Sequence, residues 1–357
     1  MKRIKAIIAV VIILVFLGID GFGGWLRTQC MFSASTALAP PKPPIFFLAN
    51  DLRDFVVANV QMASLHNPGT PIYVITSCDQ FELGRGAQLE RLLSLPLVRL
   101  KLIENHLANG TDAEAFERMY WPHSLTSFKF GLFNFQRFFV VRDIAREEGL
   151  PRFWQVDFDI ALFADVSELA REAPTADLVA LNSFSTHFAL WTLDTLQRFC
   201  DYMLDFYTRP REQAEADIWR FGERMNQTWA QWSDMFMLHS FIETQQQDLR
   251  IKFLVQGFYD RPVMQYPVVG HYLKGHLRYL GVENLGLLLG WDCKESEFDK
   301  RIELKRIDDR FVPVFNETAL LGLHFQGYYC KQWASKLLGR LTEAALGSTR
   351  LLPLGAM

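Results

Sequence analysis

Two short apolar runs with no polar break, Ile45-Phe46-Phe47-Leu48-Ala49 and Ile72-Tyr73-Val74-Ile75, stand on either side of a helix-length segment. A strand with one wet face alternates polar and apolar residues, whereas an unbroken run is buried on both faces, as in a parallel sheet. Parallel neighbours need a crossover, most often a helix. The segment between carries Phe55, Val56, Val60 and Leu65 on one stripe, starts at Asn50-Asp51 and stops at Asn67-Pro68-Gly69, so it predicts that crossover helix. The chain therefore begins its fold as a β-α-β unit, and the expected class is α/β with a mainly parallel sheet.

The same reading places a third strand at 97–103, a long helix at 127–148 and a buried strand at 153–158. Beyond it come a short helix at 166–171, a strand at 177–181, helices at 192–207 and 212–226, an apolar strand at 320–325 and a C-terminal helix at 334–345. One catalytic-sized domain, residues 45–335, accounts for these elements, with 336–357 as a C-terminal helix and tail. At 357 residues, half of them hydrophobic and thirty of them Phe, the chain can fill such a core. A net charge of −3 gives no basic field for nucleic acid. Five scattered cysteines have no zinc-site spacing.

Ahead of that domain, Lys2, Arg3 and Lys5 precede an apolar run that extends from Ala6 to Leu26 if Asp20 is tolerated. A cleaved signal peptide and an uncleaved anchor are both open. Ala37-Leu38-Ala39 has small residues at the spacing for cleavage, but it lies far past the run and is followed by Pro40, which favours the anchor. The layout is then a cytoplasmic tail at 1–5, a membrane anchor at 6–26 and a Pro-rich stem at 27–44. The bulk lies on the lumenal or external side, because the positive charges precede the span. Three Asn-x-Thr acceptor sequences, at Asn109, Asn226 and Asn316, agree with a secretory route.

Chemistry concentrates at Asp157-Phe158-Asp159, directly after Phe153-Trp154-Gln155-Val156. If the strand continues, residues i and i+2 share a face, and the pair forms a hard-oxygen site suited to Mn²⁺ or Mg²⁺ with substrate phosphates. Ligands of open α/β sheets lie beyond the carboxyl ends of strands. Asn50 and Asp79, after the first two strands, are placed to meet a nucleotide; a helix cap and a turn acid are their plainer readings. Late in the chain, Gly322-Leu323-His324-Phe325-Gln326-Gly327-Tyr328-Tyr329-Cys330-Lys331-Gln332-Trp333 puts a His, a Gly and a Lys at a strand's end. An imidazole can ligate metal, a Gly admits close backbone approach to phosphate, and a Lys offers charge.

Together these motifs resemble the GT-A glycosyltransferases, in particular the glycogenin and galactosyltransferase-like group, with Asp-x-Asp and a late His-x-x-Gly-x-x-Lys-x-Trp. The match is carried by Asp157, Asp159, His324, Gly327, Lys331 and Trp333; Lys331 comes four places after Gly327 where the pattern has three. The resemblance implies a GT-A, Rossmann-like sheet and transfer of a sugar from a nucleotide-diphosphate donor, with UDP-sugars favoured, to a glycan, protein or lipid. It implies Asp157, Asp159 and His324 on Mn²⁺ or Mg²⁺, and Gly327 and Lys331 on the diphosphate. It also implies Arg137 directed at the donor, Asn182 lining the donor sugar, and Asp234 near the acceptor. The anchor and stem resemble the type II layout of Golgi transferases; outside eukaryotes the same layout faces the extracytoplasmic side. A lumenal glycan-binding scaffold without activity is the alternative. A glycosidase pairing of Asp157 with Asp159 fits poorly, since two acids on one face do not flank a sugar.

Overall fold

The computed structural model describes residues 42–80, 82–123, 127–224 and 232–254, and further along 282–284, 303–307, 310–315, 318–319, 322–325, 334 and 338–339. The expected tail, the anchor 6–26 and most of the stem lie outside these residues. Among the described residues, no helix is long and apolar enough to cross a membrane.

The chain opens with β1 (Ile45–Ala49), α1 (Asp54–His66), β2 (Ile72–Thr76), α2 (Gly86–Leu93), β3 (Val98–Leu102), α3 (Asp112–Met119) and α4 (Phe128–Glu147). Next come β4 (Arg152–Asp157), β5 (Ile160–Leu162), α5 (Val166–Glu172), β6 (Leu178–Ala180), β7 (Phe188–Thr192), α6 (Leu193–Thr208), α7 (Arg211–Arg224), α8 (Asp234–Gln245) and β8 (Ile251–Phe253). The described C-terminal strands are β9 (Val282–Asn284), β10 (Glu303–Ile307), β11 (Arg310–Phe315), β12 (Thr318–Ala319) and β13 (Gly322–His324).

Seven strands form one sheet in the order β3-β2-β1-β4-β7-β6-β8. β1, β2, β3 and β4 are mutually parallel, and β7 alone runs against its neighbours β4 and β6. The sheet is thus mixed and mainly parallel, as expected. The unbroken apolar runs have the predicted cause: every residue of β1 and β2 is buried. Their side chains alternate between two cores. Ile45, Phe47, Val74, Trp154 and Val156 pack with α1, α2 and α5, whereas Phe46, Tyr73, Ile75 and Phe153 pack with α3, α4, α6, α7 and α8. Helices therefore cover both faces, and the chain reverses its winding between β1 and β4.

Three expectations need correction. The crossover helix starts at Asp54 rather than Asn50-Asp51, because residues 50–53 form a bend in which Asp51 pairs with Arg53 and Arg85. Asn50 is consequently no helix cap; Arg53 holds that position. The strand β4 stops at Asp157, and Phe158-Asp159 form a turn, so the two acids do not share a strand face. The folded unit also takes in the last residues of the expected stem: the Pro44 carbonyl accepts from Trp154 N at 2.8 Å, and Lys42 pairs with Asp165 at 2.8 Å. The strand β7 was not foreseen, since 188–192 merges by composition into the helix that follows. Strands β10 to β12, an antiparallel ribbon, carried no recognisable pattern either. The expected C-terminal helix is described only at 334 and 338–339, which are helical.

The Lys42–Asp165 pair ties the start of the domain to the cap of α5. Burial alone would raise the Asp165 carboxyl, but the bonds from Lys42 and Ser167 outweigh it and hold it below the ordinary range. A group with a depressed folded value stabilises the fold above its unfolded value, about pH 4, and loses that contribution as pH falls through the folded value. Thermal melts taken from neutral to acid pH should therefore show a shallower acid loss in Asp165→Asn than in wild type. The difference is modest because the pair is partly solvated, and parallel pH curves would count against this role.

Candidate active site

The register of the sheet gathers the predicted residues at one edge. Leu48 lies opposite Asp157 and Ala49 opposite Thr76, so β1, β2 and β4 end side by side. Asn50, Asp79 and Asp157-Phe158-Asp159 therefore emerge together, with Asn182 at the matching end of β6. This is the carboxyl edge at the point where strand order reverses, the usual ligand crevice of an open α/β sheet.

The centre of the site is a buried ion cluster. Arg137, on the long helix α4, donates through Nη1 to Asp157 Oδ1 at 2.5 Å and through Nη2 to Asp234 Oδ2 at 2.6 Å. A third, longer contact reaches the Thr186 carbonyl at 3.5 Å. Arg137 is 7% exposed and Asp234 is 4% exposed, so this is no surface salt bridge. Burial by itself would lower the guanidinium's pKa, but the two carboxylates more than reverse this and raise it. Two carboxylates on one planar fork suit Arg, whose five donors have fixed directions. The fork thus sets the positions of the strand acid Asp157 and of Asp234, the first residue of α8.

Asp234 has aromatic walls. Burial and the nearby Asp234 charge push Tyr120 up to about 12. Tyr207 is raised as well, first by burial and then by Tyr120 and Asp234. The two rings lie 5.5 Å apart. Both hydroxyls therefore hold their protons well above neutral pH.

The turn that carries Asp159 is held from two sides. Asn59, fully buried on α1, donates to the Phe158 carbonyl at 2.7 Å, and the Phe55 and Phe158 rings are 5.9 Å apart. On the other side, Phe325 N donates to the Asp159 carbonyl at 2.8 Å, and His324 pairs with Ile160 across the antiparallel β5–β13 ladder. The two motifs that stand 165 positions apart in sequence (Asp159 and His324) are thus neighbours along paired backbone. Gly327, Lys331 and Trp333 lie outside the described residues.

The remaining predicted residues take more local roles. Asp79, exposed in the turn after β2, accepts from Gln80 Nε2 at 2.9 Å and from the Ser77 hydroxyl. Gln80 is buried; its Nε2 also donates to the Asn50 carbonyl at 3.0 Å, and its Oε1 accepts from Leu52 N. It therefore fastens the ends of β1 and β2 together. Asn182 closes its own turn by accepting from Phe184 N at 2.8 Å, and beyond it Ser183, Ser185 and Thr186 are buried, the Thr186 carbonyl facing Arg137. Asn59, Gln80, Tyr120 and Tyr207 were missed. Only Asn59 left a trace in the sequence, as an amide inside the otherwise apolar stretch Phe55–Val60. His239 is buried and stacks on Phe184 at 4.2 Å.

The donor set can be tested against a divalent cation. Asp157 and the buried Asp159 would offer hard oxygen donors of the kind that suit Mn²⁺ or Mg²⁺ completed by substrate phosphates, and the β13 backbone runs alongside Ile160 next to them. Among the described residues no three His, Cys, Asp or Glu side chains already converge as a metal cage.

No protein-family model and no curated protein matches the chain. Solved glycosyltransferase structures do match it. Apo mouse xyloside xylosyltransferase 1 aligns over 60% of this chain and 85% of its own, at 11% identity and a TM-score of 0.40. An active-site mutant of LgtC aligns over 84% of this chain and 95% of its own, at 12% identity and a TM-score of 0.40. The PaToxG glycosyltransferase aligns over 58% and 71%, at 9% identity and a TM-score of 0.37. Scores at this level leave the functional argument to the site.

Proposed function

We propose that this chain is a glycosyltransferase that moves a sugar from a nucleotide-diphosphate donor, with UDP-sugars favoured, to a glycan, protein or lipid acceptor. The observation that carries the reading is the pairing of β13 with β5. It sets His324 beside the turn of Asp157-Phe158-Asp159, at the crevice where strand order reverses. Asp157, Asp159 and His324 hold Mn²⁺ or Mg²⁺ in this reading. A cation bound there supplies charge neutralisation to the departing diphosphate. Asn50 and Asp79 face the nucleotide, Asn182 lines the donor sugar, and Gly327 and Lys331 meet the diphosphate. Arg137 acts toward the donor through the two acids it holds in fixed geometry, Asp157 and Asp234, which balance its charge. Asp234 orients the acceptor hydroxyl. Lys2, Arg3, Lys5 and the apolar run 6–26 support single-pass type II anchoring, with the catalytic domain in the Golgi or secretory lumen, or on the extracytoplasmic face outside eukaryotes.

The test is a screen of nucleotide sugars against the full chain in detergent, with Mn²⁺, Mg²⁺ or chelator. Metal-dependent release of the nucleoside diphosphate from at least one donor is the expected outcome. If no donor is turned over, and no nucleoside diphosphate binds with metal-dependent heat, the inactive-scaffold reading replaces this one.

A further inference from the structure

The acceptor sequence Asn109-Gly110-Thr111 plays no part in the candidate site, and the fold explains only two of its three residues. Gly110 is needed for a backbone φ of +88°. Thr111 caps α3: its hydroxyl accepts from Glu114 N at 3.2 Å and donates to the Ala108 carbonyl at 2.8 Å. Asn109 is exposed at the tip of the turn, and its amide makes no hydrogen bond among the described residues. A Cβ built on the adjacent Gly110 meets nothing within 4 Å, so the space around the tip is open. The turn lies just past β3, the outer strand of the seven-stranded sheet.

We propose that Asn109 carries an N-linked glycan. An Asn-x-Thr acceptor on a lumenal chain, with x not Pro, is the substrate of this modification. Asn109 Nδ2 forms a bond to the anomeric carbon of an oligosaccharide held as its lipid pyrophosphate. The anomeric C–O bond breaks, the lipid pyrophosphate leaves with the electron pair, and Nδ2 gives up one proton to solvent. The product is compatible with the fold: the new bond is on Asn109, the Thr111 hydroxyl keeps its capping bonds, and the glycan projects into water. The inference rests on the lumenal placement proposed above but not on the transfer reaction.

The test uses the full chain made in a eukaryotic secretory host, with one known acceptor sequence added after Met357 as a reporter of translocation. Digestion with an amide-cleaving glycosidase followed by peptide mass spectrometry should show Asn109 converted to Asp. Asn109→Gln should lose one glycan step in gel mobility, while Thr111→Ser, which keeps both hydroxyl and acceptor, should retain it. Unmodified Asn109 beside a glycosylated reporter overturns the inference and leaves lumenal placement standing. Unmodified Asn109 with an unmodified reporter overturns both, and sugar transfer, measured on the same preparation, stands or falls separately.

Discussion

Arg137→Met is expected to destabilise the fold by about 3–5 kcal/mol, the range for removing one partner of a buried ion pair. The substitution strands Asp157 and Asp234, which are held 2.5 and 2.6 Å from the guanidinium. Asp234 has no route to water for its charge, whereas the Asp157 side chain is 24% exposed and sheds part of the penalty into solvent. Urea denaturation at neutral pH measures the change, as a lower midpoint with an unchanged slope. Arg137→Lys should fall between, since one ammonium cannot span both acids as the fork does. A triple variant, Arg137→Met with Asp157→Asn and Asp234→Asn, separates stability from function. With no stranded charge it should regain most of the lost stability, because replacing a whole buried ionic cluster is often close to neutral. It should regain no sugar transfer. A midpoint for Arg137→Met equal to wild type would show that the cluster is not what holds α4, β4 and α8 together.

The architecture was legible where burial acts on consecutive residues. β1 and β2 are buried on both faces, so their apolar runs are unbroken, and the helix between them had to cross over. The long helix α4 was legible because Ser127 caps it and Gly149-Leu150-Pro151 ends it. The strand β7 was hidden because Phe188–Thr192 passes into α6 without a turn. The shape of the acid pair was also misjudged. Alternation along a strand holds only while the strand lasts, and β4 ends at Asp157 because Asn59 and Phe325 capture the backbone of the next two residues in a turn. These bonds, one from the Asn59 side chain and one from the Phe325 backbone N–H, join positions 99 and 166 residues apart and leave no local period. The Arg137 cluster shows the opposite case. Asp157 was singled out by the strand before it and Arg137 and Asp234 by the family resemblance, and the fold supplied what neither could: that one guanidinium binds both acids.

Asp159→Asn is expected to lower metal-dependent kcat/KM by about 100- to 1000-fold, the range for removing one group that stabilises developing charge. It should leave the denaturation midpoint in the absence of ligand close to that of wild type. The turn is held through the Phe158 and Asp159 carbonyls, and an Asn at 159 keeps both. Asp157→Asn behaves differently, because Asp157 is also half of the Arg137 fork; it should lose activity and stability together. Ligand-linked stabilisation distinguishes the two acids without any assay of turnover. Mn²⁺ with a nucleoside diphosphate at about 100 times Kd stabilises a protein that binds it by about 2.7 kcal/mol. Wild type should show that shift, and Asp159→Asn should show little of it at the same concentrations. His324→Ala should behave as Asp159→Asn does if β13 brings the imidazole to the same cation. An Asp159→Asn protein that keeps the full ligand-induced shift would remove Asp159 from the metal site. The pairing of β13 with β5 would then be a structural seam within the separate three-stranded sheet β5-β13-β9.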